Sequence, residues 1–299
     1  MNIRDLEYLV ALADHKHFRK AADACHISQP TLSGQIRKLE DELGIMLLER
    51  TSRKVLFTQS GMVLVEQAKK ILREVKVFRE MASNQGKEMS GPLHIGVIPT
   101  LGSYLFPHIL PILKERFPEL ELFLYEAQTN TLAEQLISGQ LDCAIVASVA
   151  ETDPFIKVSL FKEKMLLAVS KQHSWSNKQQ VGMAELTGHE MLMLDDGHCL
   201  REQTLGYCFA AGAKENTHFR ATSLETLRNM VAVNSGMTFM PQLSITQTCL
   251  HKDISYLAVE PTPYRDIELI YRPGSPLRSR YERIAQTIKE QIKPILEKV

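Results

Sequence analysis

No stretch of the 299-residue chain approaches the ~18 consecutive apolar residues of a membrane span, so no membrane partner is expected. The amino terminus, Met1-Asn2-Ile3-Arg4-Asp5, carries charge where a secretory leader would need an apolar core. Five cysteines do not make a disulfide scaffold at this length, and their odd number points to a reducing compartment. The expectation is a cytoplasmic protein. Zinc-site spacing of the Cys-x2-Cys or His-Glu-x-x-His kind is missing as well. Net charge is absent, with 35 Lys+Arg against 35 Asp+Glu. That zero does not exclude nucleic acid, because affinity follows local patches. Residues 1–89 hold 15 basic and 12 acidic side chains, a balance of +3, and the remainder of the chain carries −3. At 44% hydrophobic and 23% charged, the composition is that of a globular protein. Its length suggests about two domains at ~150 residues each.

The first 58 residues read as a helical module. Leu6, Leu9, Val10 and Ala13 make an amphipathic stripe, and Phe18, Ala21, Ala22 and Cys25 repeat it after a break at His15-Lys16-His17. A turn at His26-Ile27-Ser28 leads into a third helix, Gln29 to Leu43, with Ser28 as N-cap, Pro30 in the first turn and Gly44 as the stop. Leu32, Ile36, Leu39 and Leu43 share its packing face. Two helices joined by a tight turn to a third describe a helix-turn-helix, whose recognition helix enters the major groove by its amino-terminal part. That end offers Gln29, Thr31, Ser33, Arg37 and Lys38 to base edges or phosphates. The far end carries Glu40, Asp41 and Glu42, which phosphates would repel. Met46–Glu49 and Val55–Phe57 read as a hairpin, a wing whose tip presents Arg50, Arg53 and Lys54. The alternative is three solvated surface helices and a basic loop.

A long helix follows, capped near Thr58. Leu64, Ala68, Ile71, Val75, Phe78 and Ala82 recur at alternating spacings of four and three, a seam suited to pairing with a second copy. Residues 59–90 are thus assigned to this dimerisation helix and a polar hinge. From residue 91 to 299, strands and helices alternate: Leu93–Ile98, Tyr104–Phe117, Leu120–Tyr125, Leu132–Ser138 and Cys143–Val146 come first, and Ser279–Glu297 is a closing helix. Such alternation argues for α/β layers with mainly parallel sheets, which bind ligands at the carboxyl ends of strands. Pro99-Thr100-Leu101-Gly102 is such a place, and so is Thr129.

The run Phe18-Arg19-Lys20-Ala21-Ala22, Ser28-Gln29-Pro30-Thr31-Leu32-Ser33, Ile36-Arg37-Lys38-Leu39-Glu40 and Leu43-Gly44 resembles the LysR-type transcriptional regulators. Leu47-Leu48-Glu49-Arg50, Thr58-Gln59-Ser60-Gly61 and Gly91-Pro92-Leu93-His94-Ile95-Gly96 extend the likeness over essentially the whole chain. It implies a winged helix-turn-helix, a linker helix and an effector domain of two α/β subdomains, like periplasmic binding proteins. It also implies a homodimer or homotetramer that binds double-stranded promoter DNA, activates transcription and contacts RNA polymerase. Asp195-Asp196-Gly197-His198-Cys199-Leu200-Arg201-Glu202-Gln203, with Gly206-Tyr207-Cys208-Phe209, is similar to the hydrogen peroxide-sensing members of that family, except that Glu202 stands where Asp is expected. In those members the residues matching Cys199 and Cys208 are the peroxide-reactive and resolving thiols. Those matching Thr100, Thr129, His198 and Arg265 form the peroxide pocket. The resemblance implies neither a cofactor nor an enzyme.

The residues themselves speak to the same chemistry. A thiolate is the nucleophile, and cations or a helix amino terminus favour it. Cys199 lies between His198 and Arg201, although Asp195 and Asp196 oppose them. Peroxide converts a thiolate to a sulfenic acid, which a second thiol condenses to a disulfide. Cys208 is the nearest second thiol. Were Leu200–Ala211 helical, with Gly206 its one weak point, the two cysteine Cα atoms would stand ~13 Å apart. A disulfide allows about 7 Å. Oxidation should then refold the segment. Cys25, Cys143 and Cys249 read as inert, the first two as core residues. Competing readings are a zinc site at His198, Cys199, Cys208 and His218, a thiol peroxidase, and a LysR-type regulator of a small organic inducer.

Overall fold

The structure, a computed structural model, describes residues 1–49, 55–83, 88–246 and 251–298. The chain forms two compact units, Met1–Gly86 and Lys87–Val299.

The first unit contains α1 (Ile3–His15), α2 (Phe18–Ala24), α3 (Gln29–Leu43) and α4 (Gln59–Ser83). A capping box starts α1. The Asn2 side chain accepts from the Asp5 N–H, and Asp5 accepts from the Asn2 N–H. Lys16, in the left-handed conformation, ends that helix within the expected break. Ser28 caps α3 by accepting from the Thr31 N–H, and Gly44, at φ 69°, terminates it, both as expected. The core joins Leu6, Leu9, Leu12, Ala21, Ala22, Leu32, Ile36, Leu39, Leu47, Val65 and Ala68.

Four details differ from the sequence reading. Leu12, not Val10 or Ala13, completes the buried stripe of α1. Leu43, at the helix end, is exposed, and Cys25 is only half-buried because it lies beyond the last turn of α2. Among the described residues the hairpin shows one antiparallel bridge, Leu48 to Phe57, with the Glu49 N–H donating to Leu56 O at 2.8 Å. Its tip, with Arg50, Arg53 and Lys54, lies outside the described residues.

Thr58 caps α4, its hydroxyl accepting from the Gly61 N–H at 2.9 Å. Gly61 is required there, since a Cβ would overlap the Leu47 carbonyl oxygen.

The second unit runs β1 (Gly91–Val97), α5 (Pro99–Arg116), β2 (Leu120–Glu126), α6 (Thr129–Ser138), β3 (Cys143–Ala147), β4 (Ile156–Ser170), β5 (Gln180–Gly182), β6 (Glu190–Leu194), α7 (Cys199–Ala210), β7 (Lys214–Ala221), α8 (Leu224–Ala232), β8 (Thr238–Pro241), β9 (Ile254–Glu260), β10 (Tyr264–Tyr271) and α9 (Arg278–Leu296). The main sheet is ordered β2-β1-β3-β10-β4-β9-β5, with β8 also on β4; β6 and β7 form a second sheet. The sheets are mixed, not mainly parallel. β1 runs parallel to β2 and β3, β5 to β9 and β6 to β7, but β10 and β4 run antiparallel to their neighbours.

Helical crossovers enforce parallel pairing only where an α-helix separates two neighbouring strands. The long strands β4 and β10 have no such constraint and bridge the two halves of the unit. The first part of β4 pairs with β10, its last part with β8 and β9. Helix α5 begins at Pro99, so Pro99–Gly102 is its first turn rather than a loop. Proline suits a first turn, and Gly102 lets that turn close onto Val97 and Glu126.

Candidate functional site

Three helix amino termini supply three of the residues singled out in the second unit. Cys199 is the first residue of α7, Thr129 the first of α6 and Thr100 the second of α5. Each helix start presents N–H groups and the positive end of a dipole, a setting that favours a developing anion. Cys199 is buried. Burial pushes its thiol up, while the Arg265 guanidinium, the Thr129 hydroxyl and the backbone N–H groups of Leu200 and Ala147 all favour the thiolate. The Thr129 hydroxyl is buried and has no hydrogen-bond partner among the described residues.

Arg265, on β10, donates from Nη1 to Thr100 Oγ1 at 3.1 Å and from Nη2 to the Thr100 carbonyl at 3.2 Å. Cys199, Thr129, Arg265 and Thr100 therefore form one connected cluster. His198 is buried beside it, and burial lowers its pKa against the pull of Asp195. Burial thus disfavours the imidazolium form of His198.

Arg201 also departs from the expectation. Its guanidinium forms a bidentate pair with Glu215 of β7 at 2.7 and 3.0 Å, and it reaches Asp196 and the Leu194 carbonyl. Asp196 is shared with Arg220 at 3.0 Å. This network ties the start of α7 to β7 and neutralises Asp196. The cation that acts on the sulfur is Arg265, 66 positions later in the chain.

Gly197 makes the turn into α7 at φ 87°, and a Cβ there would overlap the Gln128 amide, which donates to the Asp196 carbonyl. The turn before Cys199 is thereby held against the residue that precedes Thr129.

Cys208 lies on the same helix as Cys199, nine positions on, and α7 is continuous through Gly206. At ~1.5 Å and ~100° per residue, the two backbone positions are ~13 Å apart and half a turn out of phase. No disulfide can close on that backbone. Tyr207 anchors the far half of α7 by donating to the Tyr264 carbonyl, next to Arg265. No group of three or more metal-ligating side chains occurs among the described residues, and His218 stands on β7.

In the first unit, Gln29, Thr31, Arg37 and Lys38 are exposed on α3, and Ser33 is half-buried. The acidic end is partly spent internally. Glu40 accepts from the N–H groups of Leu47 and Leu48 at 2.7 and 3.1 Å, and Glu42 binds the amino terminus. Arg37 and Ser33 line a groove of about 450 Å³ between α3 and the base of the wing.

Along α4, Ala68 is taken up by the unit's own core and is not free for a second chain. Leu64 packs beside it and Val75 is half-buried, whereas Ile71 is 37% and Phe78 74% exposed. Ala82 lies outside the described side chains.

Sequence reasoning missed Gln128, Glu163 and Glu215. The only signal for them is their later pairing with residues that had been identified.

Two family models match the chain, the bacterial regulatory helix-turn-helix protein of the lysR family over residues 3–62 and the LysR substrate binding domain over residues 86–293. The hydrogen peroxide-inducible genes activator of Haemophilus influenzae is 67% identical over 298 residues, covering 99% of either chain. Crystal structures of the oxidized and reduced forms of OxyR match at 56% and 54% identity, each with a TM-score of 0.64 over 69% of this chain and 98% of theirs.

Proposed function

The chain belongs to the LysR family of bacterial regulatory helix-turn-helix proteins, and from that premise we propose that it is a peroxide-responsive transcriptional activator switched by Cys199 and Cys208. The observation that carries this reading is the placement of both cysteines on one unbroken helix, with the first in an anion-favouring cluster.

The Cys199 thiolate attacks one peroxide oxygen, the O–O bond breaks, and the departing hydroxide takes a proton to leave as water. Arg265 and the α7 amino terminus offset charge on the sulfur. Thr100, Thr129 and His198 supply hydrogen-bonding groups around the reacting oxygens. Cys208 then attacks the sulfenic sulfur, releasing a second water and forming the disulfide. Since the bond cannot close on α7, the helix must unwind, and the two backbones are the two states of the switch.

Residues 1–58 serve as the DNA-binding domain, with Gln29, Thr31, Ser33, Arg37 and Lys38 at the groove and Arg50, Arg53 and Lys54 at the wing. Residues 59–90 form the dimerisation helix through Leu64, Ile71, Val75 and Phe78, and residues 91–299 sense peroxide. In this reading the protein works in the cytoplasm as a homodimer or homotetramer. It engages RNA polymerase at the promoter and needs no cofactor.

It consumes one peroxide per disulfide and is not a peroxidase. Promoter footprinting and single-round transcription, before and after one equivalent of peroxide, test the assignment. Oxidation should change the footprint and raise transcription. An unchanged footprint with the disulfide formed would refute it.

A further inference from the structure

Strand β4 carries a carboxylate into the interior directly opposite the site's cation. Glu163 and Arg265 are partners in the β4–β10 ladder, and their side chains are 0% and 1% exposed. Glu163 Oε2 accepts from Arg265 Nε at 2.7 Å, and Oε1 accepts from the Leu243 N–H at 2.6 Å. With Nη1 and Nη2 on Thr100, all three guanidinium nitrogens are engaged. A buried ion pair is no more stabilising than a well-packed apolar pair, so stability alone does not account for two buried charges here. What an apolar pair cannot do is hold a planar cation in one orientation.

We propose that Glu163 is the positioning residue of the site: its carboxylate aims the Arg265 guanidinium at the Cys199 sulfur and sets how strongly that charge is felt there. Glu163 touches neither sulfur nor peroxide, and acts through Arg265. His198 precedes Cys199 in the chain, and Asp195 acts on that imidazole. The inference rests on the proposed peroxide reaction at Cys199.

The test follows thiol loss at Cys199 in full-length reduced protein mixed with hydrogen peroxide, as a function of pH. Wild type, Glu163→Gln, Arg265→Gln and the double variant are compared. Glu163→Gln should lower the limiting rate at least tenfold and move the acid midpoint to lower pH, because the guanidinium charge is no longer opposed. The double variant should react no more slowly than Arg265→Gln alone. A wild-type midpoint in Glu163→Gln, or losses that multiply in the double variant, would overturn the proposal. Should Glu163→Gln fail to fold, the double variant, which removes both buried charges, still decides against Arg265→Gln. Equal rates support the proposal and a slower double variant overturns it. A wild-type Cys199 inert to peroxide would instead overturn the underlying reading of the site and the proposal with it.

Discussion

Gly206 sits within α7, where a Cβ would meet nothing within 4 Å and the backbone is already helical. Replacing it with alanine adds no contact and removes none. It changes only the cost of keeping the segment helical, by about 0.8–1.0 kcal/mol in favour of the helix. If the disulfide form requires α7 to unwind, that whole increment favours the dithiol. At about 30 mV per 1.4 kcal/mol for a two-electron couple, Gly206→Ala should raise the reduction potential by ~20 mV. The equilibrium constant then shifts about fivefold towards the reduced form. Equilibration in graded glutathione buffers, with thiols counted by alkylation and mass spectrometry, resolves such a shift. An unchanged potential, in a variant whose reduced form is more helical or more stable, would show that α7 survives oxidation. The reasoning would then be wrong.

Other consequences can be measured independently. Arg37→Ala should weaken specific promoter binding by about 1–3 kcal/mol at fixed salt, with wild-type affinity counting against its place at a base edge or phosphate. Replacing exposed Ile71 and Phe78 with Asp should dissociate the oligomer in sedimentation without unfolding the chain, since buried unpaired charges are costly at an interface but not in water. Burial holds the Cys199 thiol above its ordinary ~8.5, so the peroxide rate should climb about tenfold per pH unit from 6 to 8. A plateau reached below pH 7 would mean that Arg265 and the helix termini outweigh burial.

Much of the first unit was legible because short-range rules decide it. Ser28, Gly44 and Thr58 announce their helix ends through side-chain and backbone chemistry that needs no tertiary context. The period of Leu32, Ile36 and Leu39 names their buried face. Leu12 was missed because a short helix packed between two neighbours buries a wider arc than a four-residue stripe. In the second unit, Thr100, Thr129 and Cys199 were located from the residues themselves, and Arg265 only through family resemblance. The physics that unites them was not visible. Arg201 stands two residues from Cys199, yet Glu215 and Asp196 hold it, while the acting cation comes from β10. Glu163 sits in a polar stretch, Lys162-Glu163-Lys164, that reads as solvated strand. Its burial follows from β4 having β10 across from it, a pairing no local pattern encodes.

Hydrogen exchange with mass spectrometry across residues 198–219, on fully reduced protein and on protein treated with one equivalent of peroxide, tests the switch most directly. With a Cys199–Cys208 disulfide confirmed in the same sample, the amides of α7 should lose protection on oxidation while those of β1, β3 and β10 keep theirs. Equal protection of α7 in the two forms would contradict the claim that forming this bond refolds the helix.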